Sequence, residues 1–148
     1  MKLPSFGTIE ADFDRLGDYN QDAINGFSNE LLDNMIDLVN PAQATTILDA
    51  MAGNGNLTSR LYRYCQRYEL MLPQMTILEY SQVQCESASK RLADFPVDVV
   101  WGDILPRRDL VYDNLIPAGT FDRVMLKSGT HEIPLENQLL LYRNIFQM

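Results

Sequence analysis

The strongest constraint on the fold is an alternation of short apolar strands with helical segments along most of the chain. Runs rich in β-branched residues fit strands, and the segments between them repeat apolar residues every three or four positions, as amphipathic helices do. The sequence predicts helices over residues 20–39, 57–70, 82–93 and 135–148, and strands over 45–50, 75–78, 97–101 and 121–127. Strands that alternate with helices form a parallel sheet with helices on both faces. The predicted fold class is therefore α/β, with a Rossmann-like parallel sheet.

The length of 148 residues suits one domain with one core. Residues 1–20 show no clear period and are predicted to be an N-terminal segment, whereas residues 21–148 are predicted to form the Rossmann-like domain. Four strands make a short sheet for this architecture, so we expect a domain truncated at its C-terminal side or the ordered part of a longer protein. We expect the fourth strand to lie beside the first with an open edge, through which two copies of the chain pair.

The charge and cysteine content limit the classes of partner. A net charge of −8 repels phosphate backbones, so nucleic acid is not expected as a substrate. The chain has no apolar run long enough for a membrane span and no secretory signal, so we expect a cytoplasmic protein. Cys65 and Cys85 form no CxxC pair and are predicted to be buried thiols, and with one histidine they cannot make a zinc site.

The first predicted strand leads into a loop with two glycines, within the sequence ILDAMAGNGNLT. Glycine lets a ligand approach the backbone, and the N-terminus of the next helix presents free N–H groups. The loop is not the dinucleotide motif G-x-G-x-x-G, because Thr58 stands three positions after Gly55, and it is not a P-loop. Two nearby glycines alone are equally typical of a tight turn that binds nothing.

An acidic residue follows or ends each of the first three predicted strands: Asp49, Glu79 and Asp103. Ligands of open α/β sheets bind outside the carboxyl ends of the strands, so these side chains are expected to meet at one crevice. Each acid by itself could be a solvated loop residue. Together, the acids would repel a pyrophosphate and suit a ligand that carries an ammonium group, ribose hydroxyls and an adenine amine.

With these motifs in place, the chain resembles class I S-adenosylmethionine-dependent methyltransferases over about residues 20–148. ILDAMAGNGNLTSRL resembles their glycine-rich motif I, TILEYS the acidic end of their second strand, VVWGDI their third-strand motif and FDRVMLKSGTHEI their fourth-strand motif. Gly53 and Gly55 keep their places in motif I. Met51 stands where the family usually has glycine or another small residue, and its side chain would either narrow the methionine pocket or turn into the core.

The resemblance implies a role for each matching residue in the first two motifs. Backbone groups of Ala50 and Gly53 would face the amino group of the methionine moiety, and Asp49 would help to orient it through water. Glu79 would hold the ribose hydroxyls. Tyr80 would pack on the adenine, although an ordinary rim aromatic would look the same in sequence.

The remaining assignments follow the third and fourth motifs and the N-terminal segment. Asp103 and the amide of Ile104 would contact the adenine edge, and the backbone carbonyl of Lys127 would lie near the methionine group. Tyr19 would reach the carboxylate of the cofactor. His131 is the candidate general base, because its ordinary pKa suits that work, although a loop histidine bound to the backbone is the plainer interpretation.

The resemblance implies a methyltransferase that uses S-adenosylmethionine and acts on a small-molecule acceptor by in-line displacement. Two alternatives stay open. One is a dehydrogenase or epimerase that binds a dinucleotide, and the other is a non-catalytic nucleotide-binding or assembly module with the same fold. The sequence does not identify the acceptor.

Overall fold

The computed structural model describes residues 29–105, 119–127, 130 and 133–147. Its elements, in chain order, are α1 (Asn29–Val39), a 3-10 turn (Pro41–Gln43), β1 (Thr46–Ala50), α2 (Asn56–Arg67), β2 (Gln74–Glu79), α3 (Gln82–Arg91), β3 (Val97–Trp101), β4 (Arg123–Leu126) and α4 (Leu135–Gln147). None of the helices in these ranges is both long and apolar enough to cross a bilayer.

The four strands form one parallel sheet in the order β3-β2-β1-β4. This confirms the predicted α/β class and the predicted position of the fourth strand beside the first. Among the described residues, β4 pairs only with β1. The chain runs outward from β1 through β2 to β3 and then returns to the other side of β1. The sheet therefore has a topological switch point between β1 and β4, where ligands of such sheets bind.

Each face of the sheet is covered by its own apolar cluster, because successive strand residues point to opposite faces. Ile47 belongs to the first cluster and its neighbour Leu48 to the second. The first cluster also includes residues of α1, α2 and β2, namely Leu32, Ile36, Leu57, Leu61 and Ile77. The second includes Ala50, Leu78, Ile104, Ile133 and, from α4, Leu141. Helices therefore lie on both faces, as predicted.

Two predicted boundaries were wrong for identifiable reasons. Helix α2 ends at Arg67 and does not continue to residue 70, because Glu69 adopts the left-handed conformation with φ of 54°. The Leu70 N–H then donates to the Cys65 carbonyl at 2.9 Å, which closes the helix in a Schellman-type arrangement. Strand β4 begins at Arg123 and not at residue 121, because Asp122 is used to join β4 to β1.

The other differences from the predicted bounds are of one or two residues. β1 and α2 each begin one residue away from the predicted positions, β2 is longer and includes Glu79, and α3 ends at Arg91. Ser81 caps α3, because its hydroxyl accepts from the Gln84 N–H at 3.3 Å. Residues 20–28 of the first predicted helix and the N-terminal segment 1–20 lie outside the described residues.

Both cysteines are buried and free, as predicted. Burial raises the pKa of the Cys65 thiol. The Cys85 thiol donates to the carbonyl of Glu79 at 3.3 Å. Within the part of the chain that the structure describes, no group of His, Cys, Asp or Glu side chains is arranged to hold a metal ion.

Asp122 joins the amino ends of β1 and β4. Its Oδ2 accepts from the Thr45 N–H at 2.7 Å, the Thr45 hydroxyl at 2.6 Å and the Thr46 N–H at 3.1 Å. In return, the Asp122 N–H donates to the Thr46 carbonyl at 3.0 Å. The hydrogen bond from the Thr45 hydroxyl, followed by those from the two amides, lowers the pKa of Asp122 from 3.8 to about 2.

We expect Asp122→Asn to remove a pH-dependent part of the stability. Since the pKa of Asp122 is lower in the folded chain, its contribution is complete above pH 4 and is lost as the pH falls towards 2. The variant should therefore be less stable than the wild type at neutral pH, and the difference should shrink between about pH 4 and 2. Thermal unfolding at stepped pH values measures this, with Asp94→Asn at an exposed position as the control. A difference that does not change with pH would contradict the assignment.

Candidate functional site

The loop between β1 and α2 reverses direction by using the left-handed conformation three times. Met51, Gly53 and Gly55 have φ values of 56°, 57° and 72°. A residue with a Cβ is strained there by about 1–2 kcal/mol, so Met51 is the costly member of the three. Its side chain is partly buried and packs against the cluster that contains Leu48 and Ala50.

Glu79 holds this glycine loop at the end of β2. The side chain is 4% exposed. Its Oε2 accepts from the Gly53 N–H and its Oε1 from the Ser81 N–H, both at 2.8 Å. One carboxylate therefore fixes both the loop after β1 and the start of α3.

Asp49 is buried one residue before the end of β1. It is 1% exposed, and its Oδ2 accepts from the Thr58 hydroxyl at 2.6 Å. Thr58 lies in the first turn of α2, where a carboxylate also interacts favourably with the helix dipole. In this structure, the side chain of Asp49 links β1 to the first turn of α2.

Asp103 lies two residues beyond β3 and is partly exposed. Its Oδ1 accepts from the Leu105 N–H at 2.9 Å, which makes a local turn. The preceding residue, Gly102, donates its N–H to the Glu79 carbonyl at 2.9 Å, so the chain before Asp103 is tied to the end of β2. Ile104 is buried, and its carbonyl accepts from the Asn144 amide at 2.9 Å.

Tyr80 and Trp101 flank the ends of β2 and β3. The Trp101 indole N–H donates to the Tyr80 carbonyl at 2.8 Å, yet the side chain of Trp101 is 60% exposed. An exposed indole held in this way offers a flat apolar surface beside Glu79, its register partner. The sequence prediction missed Trp101, although an aromatic residue directly before Gly102 and Asp103 was a usable signal.

The remaining predicted residues divide into two groups. Ala50 ends β1 between Leu78 and Leu126, and Lys127 follows β4 and is buried. Tyr19 and His131 lie outside the described residues. Because all four strands are parallel, Ala50, Glu79, Asp103 and Lys127 come to the same edge of the sheet.

The carboxyl ends of the strands bring three kinds of group together. They are a buried carboxylate, a loop whose glycines allow close approach to the backbone, and an exposed aromatic surface. Such a set suits hydroxyls, amines and a planar ring on one ligand.

Comparison with solved structures identifies the fold. The methyltransferase SibL, described as S-adenosylmethionine-dependent, aligns with 82% of this chain at 19% identity and a TM-score of 0.63. The 4+2 cyclase SpnF aligns with 80% at 20% identity and a TM-score of 0.63. The protein mmp1179 of Methanococcus maripaludis, a proposed S-adenosyl-L-methionine-dependent methyltransferase, aligns with 99% at 17% identity and a TM-score of 0.61. The chain has a class I methyltransferase fold.

At this level of identity, the likeness concerns the methyltransferase fold alone. The chain spans 33% of SibL, 39% of SpnF and 62% of mmp1179, which is less than two thirds of each. No protein-family profile matches the chain, and no curated protein matches it.

We expect Gly55→Ala to destabilise this methyltransferase fold more than Gly119→Ala. A Cβ at Gly55 would lie 2.8 Å from Leu92 Cδ1 and 3.2 Å from Ile77 Cδ1, whereas one at Gly119 would meet no atom within 4 Å. Both glycines have φ near 70°, so both variants share a backbone strain of about 1–2 kcal/mol. Overpacking should cost Gly55→Ala about 1–3 kcal/mol more. Urea unfolding measures the difference, and equal losses would contradict the crowding at Gly55.

Glu79→Gln should lower the free energy of unfolding by about 1–3 kcal/mol, even without a ligand. The amide would keep one acceptor oxygen, but its NH₂ group would face one of the two backbone N–H donors. Glu86→Gln is the matched control, because Glu86 is exposed in the middle of α3. Urea unfolding of the two variants measures this, and equal stabilities would show that the Glu79 carboxylate does not support the loop.

Proposed function

We propose that this chain binds S-adenosylmethionine at the carboxyl ends of its strands, as part of a protein that transfers the methyl group to a small-molecule acceptor. The observation that carries the proposal is the carboxylate of Glu79. It is buried at the end of β2 and is bonded to the glycine loop through the Gly53 N–H. A carboxylate at this place would accept from the two ribose hydroxyls, and its negative charge would repel a 2′-phosphate.

The other groups at this edge fit the remaining parts of the cofactor. The Asp103 carboxylate and the Ile104 N–H would contact the adenine edge, and Tyr80 and Trp101 would pack against the ring. Backbone groups of Ala50, the glycine loop and Lys127 would bind the methionine moiety. The close approach that this requires agrees with the left-handed Gly53 and Gly55.

The protein's own contribution to the reaction is binding and alignment. Bound S-adenosylmethionine supplies an activated methyl group, and the chain holds it in line with the acceptor. Tyr19 and His131 keep their predicted roles, as a contact to the cofactor carboxylate and as a base for acceptors that must lose a proton. A base is needed only for such acceptors.

The charge of the chain supports a small-molecule acceptor over nucleic acid. The net charge of −8 opposes binding to a phosphate backbone. We likewise propose the cytoplasm as the place of action.

A second candidate is a protein that keeps this fold and the adenosyl site without transferring a methyl group. SpnF has the same fold and is a cyclase, so the fold by itself does not determine the reaction. The first candidate would transfer the methyl group and the second would not, whereas both would bind the cofactor.

Calorimetric titration with S-adenosylmethionine, S-adenosylhomocysteine and NAD tests the proposal. We expect the first two to bind and NAD not to bind. Glu79→Gln should weaken S-adenosylhomocysteine at least about tenfold, because a hydrogen bond to a charged group contributes about 1.5–3 kcal/mol. Trp101→Ala, at an exposed position, should also weaken it, and Glu86→Gln should leave it unchanged.

Three results would count against the proposal. Binding of NAD alone would favour a dehydrogenase, and binding of none of the three would favour a non-catalytic assembly module. Unchanged affinity in the folded Glu79→Gln variant would mean that the ligand lies elsewhere.

A further inference from the structure

Helix α4 carries an apolar stripe on its outer side. Leu135, Leu139, Tyr142 and Phe146 are 79%, 82%, 43% and 90% exposed. They follow one another at spacings of four, three and four residues, so they form one line along about three turns of the helix. Exposed apolar residues on a protein surface are normally single, whereas this helix presents four large ones in one line.

The opposite side of α4 packs against the rest of the chain, and those contacts set the outward direction of the stripe. Leu141 is completely buried in the second cluster, and Ile145 packs against it. The Gln138 amide donates to the Ile133 carbonyl at 3.2 Å, and the Asn144 amide donates to the Ile104 carbonyl at 2.9 Å. These contacts fix the rotation of the helix and keep the stripe outward.

The spacing of the stripe identifies the kind of partner. Intervals of four, three and four residues are those of the a and d positions of a heptad, the pattern by which one helix packs along another. With Leu139 and Phe146 at a positions, Leu135 and Tyr142 occupy d positions. The partner that fits such a line is therefore another helix.

The flanking charges select the partner and its direction. Glu136 and Arg143 are exposed, lie seven residues apart and occupy the two e positions on the same flank of the stripe. Between antiparallel helices, e positions face e positions, so Glu136 of one helix would face Arg143 of an identical helix, twice by symmetry. Between parallel helices, Arg143 would face the uncharged Gln138 instead.

We propose that this stripe is the contact between two copies of the chain, whose α4 helices lie antiparallel across a twofold axis. Leu139 of each copy contacts Tyr142 of the other, and Leu135 contacts Phe146. Two Glu136–Arg143 pairs border the contact. The proposal is independent of the cofactor site, and it differs from the pairing of β4 edges that the sequence suggested.

Sedimentation equilibrium of single charge variants, over an about hundredfold range of concentration, tests the proposal. The wild type should be a dimer at the upper concentrations. Glu136→Arg and Arg143→Glu should each weaken self-association about tenfold or more, because each replaces two attractive pairs by two repulsive ones. An equimolar mixture of the two single variants should associate as well as the wild type, since the mixed dimer contains only opposite-charge pairs.

Substitution within the stripe provides the matched apolar test. Leu139→Glu should give a monomer at all concentrations, whereas Leu38→Glu, at an equally exposed leucine of α1, should leave the dimer unchanged. A monomeric wild type would overturn the proposal, as would a dimer that survives Leu139→Glu, which would point to the β4 edge. A mixture of the charge variants that stays monomeric would also overturn it. That result is expected if a segment of the same chain, and not a second copy, covers the stripe.

Discussion

The carboxylate of Glu79 is the contact on which the functional end of the sheet depends. A buried charge is costly unless hydrogen bonds compensate it, and here the N–H groups of Gly53 and Ser81 do so. The same two bonds hold the loop after β1 over the end of β2 and fix the start of α3. The loop reaches Glu79 only because its residues take the left-handed conformation, which glycine adopts freely and Met51 adopts under strain. The proposed ligand contact and the local fold would therefore depend on one side chain.

The polar side chains at the two ends of the sheet have different roles. At the amino end, Asp122 bonds to Thr45 and Thr46 and aligns β4 with β1. At the carboxyl end, Glu79 and Asp103 bind backbone N–H groups beside the switch point. Substitutions at the first end should act on stability alone, whereas under the proposed function those at the second should act on stability and binding together. That difference follows from parallel topology, which collects all the strand-to-helix loops at one edge.

Several features of the site could be predicted because they follow from local pattern. The acids at the strand ends, the two glycines and the Ser81 cap all stand beside the apolar runs that define their elements. What these residues contact could not be predicted. Glu79 binds Gly53 across 26 positions, and Asp122 binds Thr45 across 77. Nothing in the sequence around Glu69 showed that it would end α2, because the usual glycine is absent there.

The sequence by itself determined which segments are strands and helices, their parallel arrangement and the resemblance to a methyltransferase. Those properties depend on periodicity and on connections between neighbouring elements, which a single chain displays directly. Only the tertiary structure decided that Met51 packs against the cluster of Leu48 and Ala50, that Trp101 stands exposed beside Glu79 and that α4 presents Leu135, Leu139, Tyr142 and Phe146 outward. A helix with apolar residues on two sides has two possible inner faces. The choice between them depends on how its side chains fit the sheet and loops that surround it.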